Sequence, residues 1–183
     1  MNDPIFITGC ARSGTSLTAG IVHMSGAWGG KMSGPTKYNA KGMFENSIVR
    51  QELSKPYLRS INCDPMGQYP LPSDEQLRTI TAIDGVAWRE NLLRLLYRQG
   101  LREGKPWFYK GAKMCLFWPM WDYAFPNAKW IIVRRSRDDI ARSCLRTGFM
   151  RAFDKLGGWL EWVEQHEMRL EEMKASGLWY KEV

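Results

Sequence analysis

The 183-residue chain has few of the residues that build metal sites and disulfide frameworks, with four cysteines and two histidines. No two cysteines are close enough for a C-x-x-C pair, which argues against a zinc site. A disulfide framework is not expected in a chain long enough to bury a core. We therefore interpret Cys10, Cys63, Cys115 and Cys144 as reduced thiols.

The sequence also lacks a long apolar run and a secretion signal. No run approaches the roughly 18 residues that a membrane span needs. The N-terminus has no charged region followed by an apolar stretch. We expect no membrane span and a cytoplasmic location. The 44% of hydrophobic residues, among them nine tryptophans, exclude a disordered chain and predict a single domain over residues 1–183.

Acidic residues are outnumbered, because 26 Lys and Arg stand against 19 Asp and Glu for a net charge of +7. An excess of this size suits a solvated basic surface, an anionic ligand, a nucleic acid or an acidic membrane face. The basic residues are spread along the chain and form no tail, which argues against nucleic acid. We expect no nucleic-acid partner.

Short apolar runs alternate with helical patterns along the chain. Strands are predicted at residues 5–8, 107–110 and 129–133, and the ending LWYKEV also resembles a strand. Helices are predicted from Thr15, from Asn46, from Ser73, and over about 138–147 and 155–175, with Gly85 kinking or splitting the third. Such alternation predicts an α/β fold, a three-layer sandwich around a mainly parallel sheet, with ligands at the carboxyl ends of the strands.

The stretch PIFITGCARSGTSLTAG has the glycine spacing of a phosphate-binding P-loop, but Thr15 stands where that loop has lysine. A strand, a glycine loop and a helix N-terminus present converging N–H groups and partial positive charge. Thr15 and Ser16 add hydroxyl groups, and Arg12 adds a donor fork suited to phosphate or sulfate. The stretch predicts an anion site, and the alternative is a turn with a solvent-facing arginine.

A phosphoryl-transferring kinase would also need an acidic magnesium ligand at the end of a later strand. The best later strand, KWIIVRRSRDD, ends in Arg134 and Arg135. Arg135 is followed eight residues later by Ser143, inside the next predicted helix. These two side chains are placed to converge on a second phosphate, and the alternative is a surface arginine with an incidental serine.

Together these stretches resemble the sulfotransferases that use 3′-phosphoadenosine 5′-phosphosulfate (PAPS). The sequence CARSGTS is similar to the family's 5′-phosphosulfate loop, and Arg135 with Ser143 matches its 3′-phosphate signature. The stretches NAKGMFEN and FPNAKWIIVRR are similar to further segments of the family.

The resemblance implies a P-loop NTPase-like fold and in-line transfer of a sulfuryl group to a hydroxyl or amine, without a metal. It implies that Arg12 stabilises the transferring group and that Ser13, Gly14, Thr15 and Ser16 hold the 5′-phosphate. By the same resemblance Arg135 and Ser143 hold the 3′-phosphate. The product would be adenosine 3′,5′-bisphosphate.

The sequence departs from one common family pattern at the position of the catalytic base. Where many members have K-x-H, this chain has Lys110-Gly111-Ala112, and we interpret His23 and His166 as packing or surface residues. Other members use a glutamate after the first helix, which implies Glu45.

The neighbours Met43 and Phe44 are expected to give Glu45 an apolar setting that raises its pKa. The alternative is that Glu45 is only an acid at a helix N-terminus, beside Asn46.

Some features of the family are not found in this sequence. The R-K-G segment that closes over the cofactor in some members is absent, and the chain is short for the family, as a truncated member would be. A P-loop kinase and a non-catalytic nucleotide-binding homologue remain alternatives. The acceptor, a small molecule or a carbohydrate, and the oligomeric state are not determined by the sequence.

Overall fold

A four-stranded, all-parallel sheet lies at the centre of the structure, a computed structural model that describes residues 2–183. Its strands are β1 (Ile5–Thr8), β2 (Phe108–Lys110), β3 (Lys129–Ile132) and β4 (Tyr180–Glu182), in the order β2-β1-β3-β4. Strand β1 pairs with β2 on one side and with β3 on the other. The loops after these three strands therefore meet at one edge of the sheet.

Helices connect the strands and cover both faces of the sheet. They are α1 (Thr15–Met24), α2 (Ser47–Val49), α3 (Lys55–Ser60), α4 (Asp74–Arg78), α5 (Ala82–Arg98), α6 (Trp118–Ala124), α7 (Arg137–Leu145) and α8 (Leu156–Ala175). A π-helical segment, Arg50–Ser54, joins α2 to α3, and a 3₁₀ segment, Ala112–Phe117, precedes α6.

Successive side chains of β1 belong to different apolar clusters, one on each face of the sheet. Phe6 belongs to the larger apolar cluster, under α5 and α6, and Ile7 belongs to a smaller cluster with Ala19 of α1. Successive side chains of a strand point to opposite faces, so both sides of β1 are buried. The predicted α/β class, with a parallel sheet between two helical layers, is confirmed.

The helix predicted after Ser73 is interrupted, but not at Gly85. Helix α4 ends at Arg78, and Thr81 starts α5 with a second capping box whose partner is Asp84. Helix α6 was not predicted, because WPMWDYA is almost wholly apolar and has no amphipathic period.

Gly85 has a packing role inside α5. A Cβ atom at this position would overlap Tyr123 Cβ and lie 2.8 Å from the Tyr123 carbonyl carbon and 2.9 Å from the Ala124 nitrogen. The glycine thus lets α5 approach the backbone of α6 closely.

We expect Gly85→Ala to destabilise the protein by about 1–3 kcal/mol, the usual cost of overpacking, although alanine is the better helix former. Thermal or urea unfolding measures the change. The matched control is Gly157→Ala in α8, where a Cβ meets nothing within 4 Å. That substitution should leave stability unchanged or raise it by about 0.4–1 kcal/mol. Equal effects of the two substitutions would contradict the packing role.

All four cysteines are unpaired and buried. Burial raises the pKa of each thiol. Among residues 2–183, no helix combines the length and the apolar character needed to cross a membrane.

Candidate functional site

The loop after β1 wraps tightly against β3. Gly9, with φ +150°, has no room for a Cβ, which would overlap the carbonyl oxygen of Val133. Arg12 adopts a left-handed φ of 73°, which is uncommon for a residue other than glycine and recurs at ligand-binding loops. The backbone geometry is therefore that of a tight cradle ahead of α1.

The N-terminus of α1 is open at this cradle. Gly14 is the N-cap and offers no side chain to the first turn. The N–H of Leu17 donates to the Gly14 carbonyl at 2.9 Å, but the N–H groups of Thr15 and Ser16 have no partner within the helix. The hydroxyl of Ser13 is buried and makes no hydrogen bond. Donors of this kind, together with the dipole of a ten-residue helix, suit an anionic oxygen. Thr15 is buried beside them, and the Ser16 hydroxyl donates to the carbonyl of Met43 at 3.1 Å.

Arg12 links the two stretches that the sequence analysis singled out. Its Nε donates to the hydroxyl oxygen of Ser143 at 3.0 Å. Both of its terminal nitrogens point to the carbonyl oxygen of Tyr38, at 3.4 Å. Burial lowers the pKa of Arg12, and the charge of Arg135 lowers it further, but a guanidinium stays cationic at neutral pH.

Arg135 and Ser143 each contact Arg12. Arg135 donates to the carbonyl oxygen of Arg12 at 3.2 Å, and its guanidinium lies 3.7 Å from the carboxylate of Asp139. The Ser143 hydroxyl accepts from Arg12, which leaves its own proton free to donate. Arg135 is exposed to solvent and Ser143 is buried, so only Arg135 lines the adjoining cavity.

A cavity of about 870 Å³ opens beside the loop. Its walls include Arg12, Gly14, Thr15 and Ser16 of the first stretch. Glu45 lies in the same wall, so the side chain is on the side of the Arg12 loop. The cavity is large enough for a drug-sized ligand.

The expected apolar setting of Glu45 is wrong. The carboxylate lies 3.7 Å from Arg50 and 3.8 Å from the ammonium of Lys110, with its side chain only 7% exposed. Burial by itself would raise the pKa of Glu45, but Lys113, Lys110, Arg50 and Lys55 outweigh it and hold the pKa below its ordinary value. Glu45 is therefore an ionised carboxylate at neutral pH.

Met43 and Phe44, which were expected to provide the apolar setting, do not form a pocket around the carboxylate of Glu45. Phe44 packs in the cluster under α1, and Met43 supplies the carbonyl that accepts from Ser16. Asn46 caps α2, because its side chain accepts from the backbone N–H of Val49. Glu45 thus precedes the cap, and its side chain faces the cations of the cavity.

Lys110 is the last residue of β2, next to the β1 loop. Thr8 fixes this corner, since its hydroxyl donates to the carbonyl of Gly111 at 3.1 Å and accepts from the backbone N–H of Cys115. The Lys110 side chain is only 4% exposed. Burial lowers its pKa, and the charge of Glu45 offsets part of that effect.

Sequence reasoning missed several residues of the wall. Lys110 is the last residue of a predicted strand, so its place at the ligand-binding edge of the sheet follows from the sequence. Arg50, Lys55 and Lys113 carry no such local signal. His166 is buried and packs against Trp162, as expected, and it also lines the cavity.

The Nδ1 atom of His166 lies 2.9 Å from the carbonyl oxygen of Trp162, which assigns the proton to Nδ1 and leaves Nε2 as an acceptor. Burial lowers the pKa of His166 to about 4. The ring is therefore neutral at pH 7. His23, in contrast, is half-exposed at the end of α1, with Nδ1 3.3 Å from the carbonyl oxygen of Ala27, and it is not a cavity residue.

Over residues 2–183, no group of three or more His, Cys, Asp or Glu side chains is placed to hold a metal ion. The charge of the cavity wall is instead positive. It includes seven Arg or Lys residues and one acid, Glu45. The arrangement therefore favours a ligand that carries several negative charges.

A scan of protein-family models finds no match to this chain, and a search of curated protein sequences finds none either. Among solved structures, the fold is similar to that of sulfotransferase STF1 from Mycobacterium tuberculosis H37Rv, with a TM-score of 0.50 and 14% identity. That similarity covers the whole of this chain but 62% of STF1, less than two thirds of its length. The protein TT1252 from Thermus thermophilus has a TM-score of 0.48 and 19% identity, with 100% of this chain and 90% of that chain covered. The first similarity shows the fold, an α/β architecture similar to that of STF1.

Proposed function

We propose that the protein is a PAPS-dependent sulfotransferase and that residues 1–183 form one domain of this kind. The observation that carries the proposal is the hydrogen bond from Arg12 to Ser143, which joins the β1 loop to the arginine-serine pair after β3. Two anion-binding stretches thus meet beside one cationic cavity. The fold shared with a protein named as a sulfotransferase supports the same function.

The residues fit a bisphosphate nucleotide with a sulfuryl group. In the proposal the backbone N–H groups of Thr15 and Ser16, at the open N-terminus of α1, and the hydroxyls of Ser13 and Thr15 hold the 5′-phosphate. Arg135 and the free proton of Ser143 hold the 3′-phosphate. When bound, PAPS would supply an activated sulfuryl group, so the protein's part is to bind and orient the reactants, stabilise charge and accept a proton.

Two side chains have catalytic roles in this proposal. Arg12 stabilises the negative charge that develops on the sulfuryl oxygens and on the leaving phosphate oxygen. Glu45 accepts the proton of the acceptor hydroxyl as the new oxygen–sulfur bond forms and the bond from sulfur to the 5′-phosphate breaks. The products are the sulfate ester and adenosine 3′,5′-bisphosphate.

Calorimetry with Arg135→Ala tests the cofactor assignment. We expect the variant to bind adenosine 3′,5′-bisphosphate about 10- to 100-fold more weakly, the loss of a charge-assisted contact of about 1.5–3 kcal/mol. Adenosine 5′-monophosphate has no 3′-phosphate and should lose little affinity.

The matched control is Arg134→Ala, because Arg134 is the preceding residue and pairs with Glu171 outside the cavity. Its affinities for the two nucleotides should match those of the wild type. Equal losses for both nucleotides in Arg135→Ala would reject the 3′-phosphate site.

A thermal-shift comparison separates the remaining functions. Stabilisation by adenosine 3′,5′-bisphosphate without magnesium would support the sulfotransferase. The free energy of unfolding should then rise by about 2.7 kcal/mol when the ligand concentration is 100 times its Kd. Stabilisation by ATP only with magnesium would support a kinase instead. Stabilisation by neither would contradict nucleotide binding altogether.

A further inference from the structure

One end of the cavity holds more positive charge than its single carboxylate balances. Arg50, Lys55, Lys110 and Lys113 all lower the pKa of Glu45, so four cations act on one acid. All five side chains line the cavity. We call Arg50, Lys55, Lys110 and Lys113 the β2-side cations, since Lys110 ends β2 and Lys113 follows it.

Two of the β2-side cations, Lys110 and Arg50, are not fully satisfied by the protein itself. The Lys110 ammonium, on a side chain only 4% exposed, makes no hydrogen bond to another group of residues 2–183, and its one ion pair is the 3.8 Å approach to Glu45. Arg50 lies 3.7 Å from the same carboxylate, and its Nε is buried without a partner. A buried charge is costly unless it is paired and hydrogen-bonded. The cluster therefore has the form of an anion site.

This anion site is separate from the residues proposed for the cofactor's 3′-phosphate, and it adjoins the β1 loop that is proposed for the 5′-phosphate. Arg135 follows β3, Lys110 ends β2, and β1 lies between these two strands. Neighbouring strands are about 4.8 Å apart, which puts the two strand ends about 10 Å from each other. The 3′-phosphate contacts of Arg135 and Ser143 consequently leave the β2-side cations available to another ligand.

We propose that the β2-side cations bind an anionic group on the acceptor, so that the acceptor carries a carboxylate, sulfate or phosphate besides the hydroxyl that is sulfated. The inference rests on the proposed function, because it places the acceptor beside Arg12 and Glu45. Glu45 repels such a group, but the four cations leave a net positive charge after pairing with it. The neutral acceptor of the same shape would leave these charges without partners.

The test measures binding of matched acceptors in which a carboxylate is replaced by a neutral hydroxymethyl group. The probes are 4-hydroxyphenylacetate against 4-hydroxyphenethyl alcohol, and methyl glucuronide against methyl glucoside. Calorimetry is done with and without saturating adenosine 3′,5′-bisphosphate. We expect the carboxylate of at least one pair to bind about tenfold or more tightly than its neutral partner, with the preference retained in the presence of the nucleotide.

Variants then locate the site. Lys113→Gln and Lys55→Gln should each weaken binding of the carboxylate about tenfold and change binding of the neutral partner less than twofold. The matched control is Lys105→Gln, an exposed lysine outside the cavity, which should behave as the wild type.

Equal affinities within both pairs, or no binding of any probe, would overturn the proposal. So would displacement of the carboxylates by the nucleotide, because the carboxylates would then occupy the cofactor's phosphate site. Failure of the nucleotide itself to bind is a different result. It would reject the proposed sulfotransferase and leave the charge preference to be judged from the nucleotide-free arm.

Discussion

Replacing Arg12 with alanine is expected to slow sulfuryl transfer by about 10²- to 10³-fold, the usual cost of removing a preorganised donor to a developing negative charge. Charge on the sulfuryl and leaving oxygens grows in the transition state, so the loss should fall on kcat more than on cofactor affinity. Single-turnover rates with a working acceptor, together with calorimetry of adenosine 3′,5′-bisphosphate, measure the two effects.

Two further variants make the Arg12 result interpretable. Arg12→Lys should recover only part of the rate, because lysine keeps the charge but loses the planar fork that spans Ser143 and the Tyr38 carbonyl. Arg142→Ala, an exposed arginine one residue before Ser143, is the matched control and should leave the rate unchanged. An unaltered single-turnover rate in Arg12→Ala would remove Arg12 from the chemistry.

Replacing Glu45 with glutamine is expected to cut sulfuryl transfer by about 10²-fold while adenosine 3′,5′-bisphosphate still binds, because glutamine cannot accept the acceptor's proton. The surrounding cations hold the pKa of Glu45 below its ordinary 4.5. Wild-type activity should therefore fall only when the pH drops through that lowered pKa. The variant should lack this acidic limb, which a pH–rate profile would reveal.

The same substitution should also destabilise the protein, since it leaves the β2-side cations without their carboxylate. Loss of one partner of a buried ion pair costs about 3–5 kcal/mol, here reduced by the partial exposure of Arg50. Because the folded-state pKa of Glu45 is lowered, its contribution to stability is present above the unfolded-state pKa and is lost as the pH falls through the folded-state pKa.

The control for both readings is Glu52→Gln, an exposed acid in the adjoining π-helical segment. It should alter neither rate nor melting temperature. If Glu45→Gln melts earlier but transfers sulfuryl groups at the wild-type rate, Glu45 is a structural counter-ion and the base is another group.

The sequence alone determined the elements whose signals are local. Strands β1 and β3 are short apolar runs beside glycine, proline or arginine, and the capping box at Ser73 marks a helix start within four residues. The glycine loop before α1 likewise combines a strand, two glycines and a helix in sequence order. Backbone propensity and periodicity are properties of neighbouring residues, so such signals need no tertiary contact.

Only the tertiary structure decided the electrostatics of Glu45. Its apolar neighbours in sequence suggested a raised pKa, whereas the fold surrounds it with cations from the π-helical segment, α3, β2 and the 3₁₀ segment. The separation in sequence between Glu45 and Lys113 hides this contact from any local pattern. The Coulomb interaction depends on distance in space, and it outweighs desolvation here because several charges add at one carboxylate.

The same reason explains the positions of His166 and Gly85. His166 sits on an ordinary apolar helix stripe, and only the packing of α8 against the loop around Gly67 makes it a cavity residue. The glycine at position 85 predicted a kink or break in the helix, yet Gly85 lies within the continuous helix α5. A side chain at this position would clash with the backbone of α6, so the glycine allows the two helices to pack closely. The chain order of the residues determined which elements form, and the close approach of distant segments determined which side chains share the site.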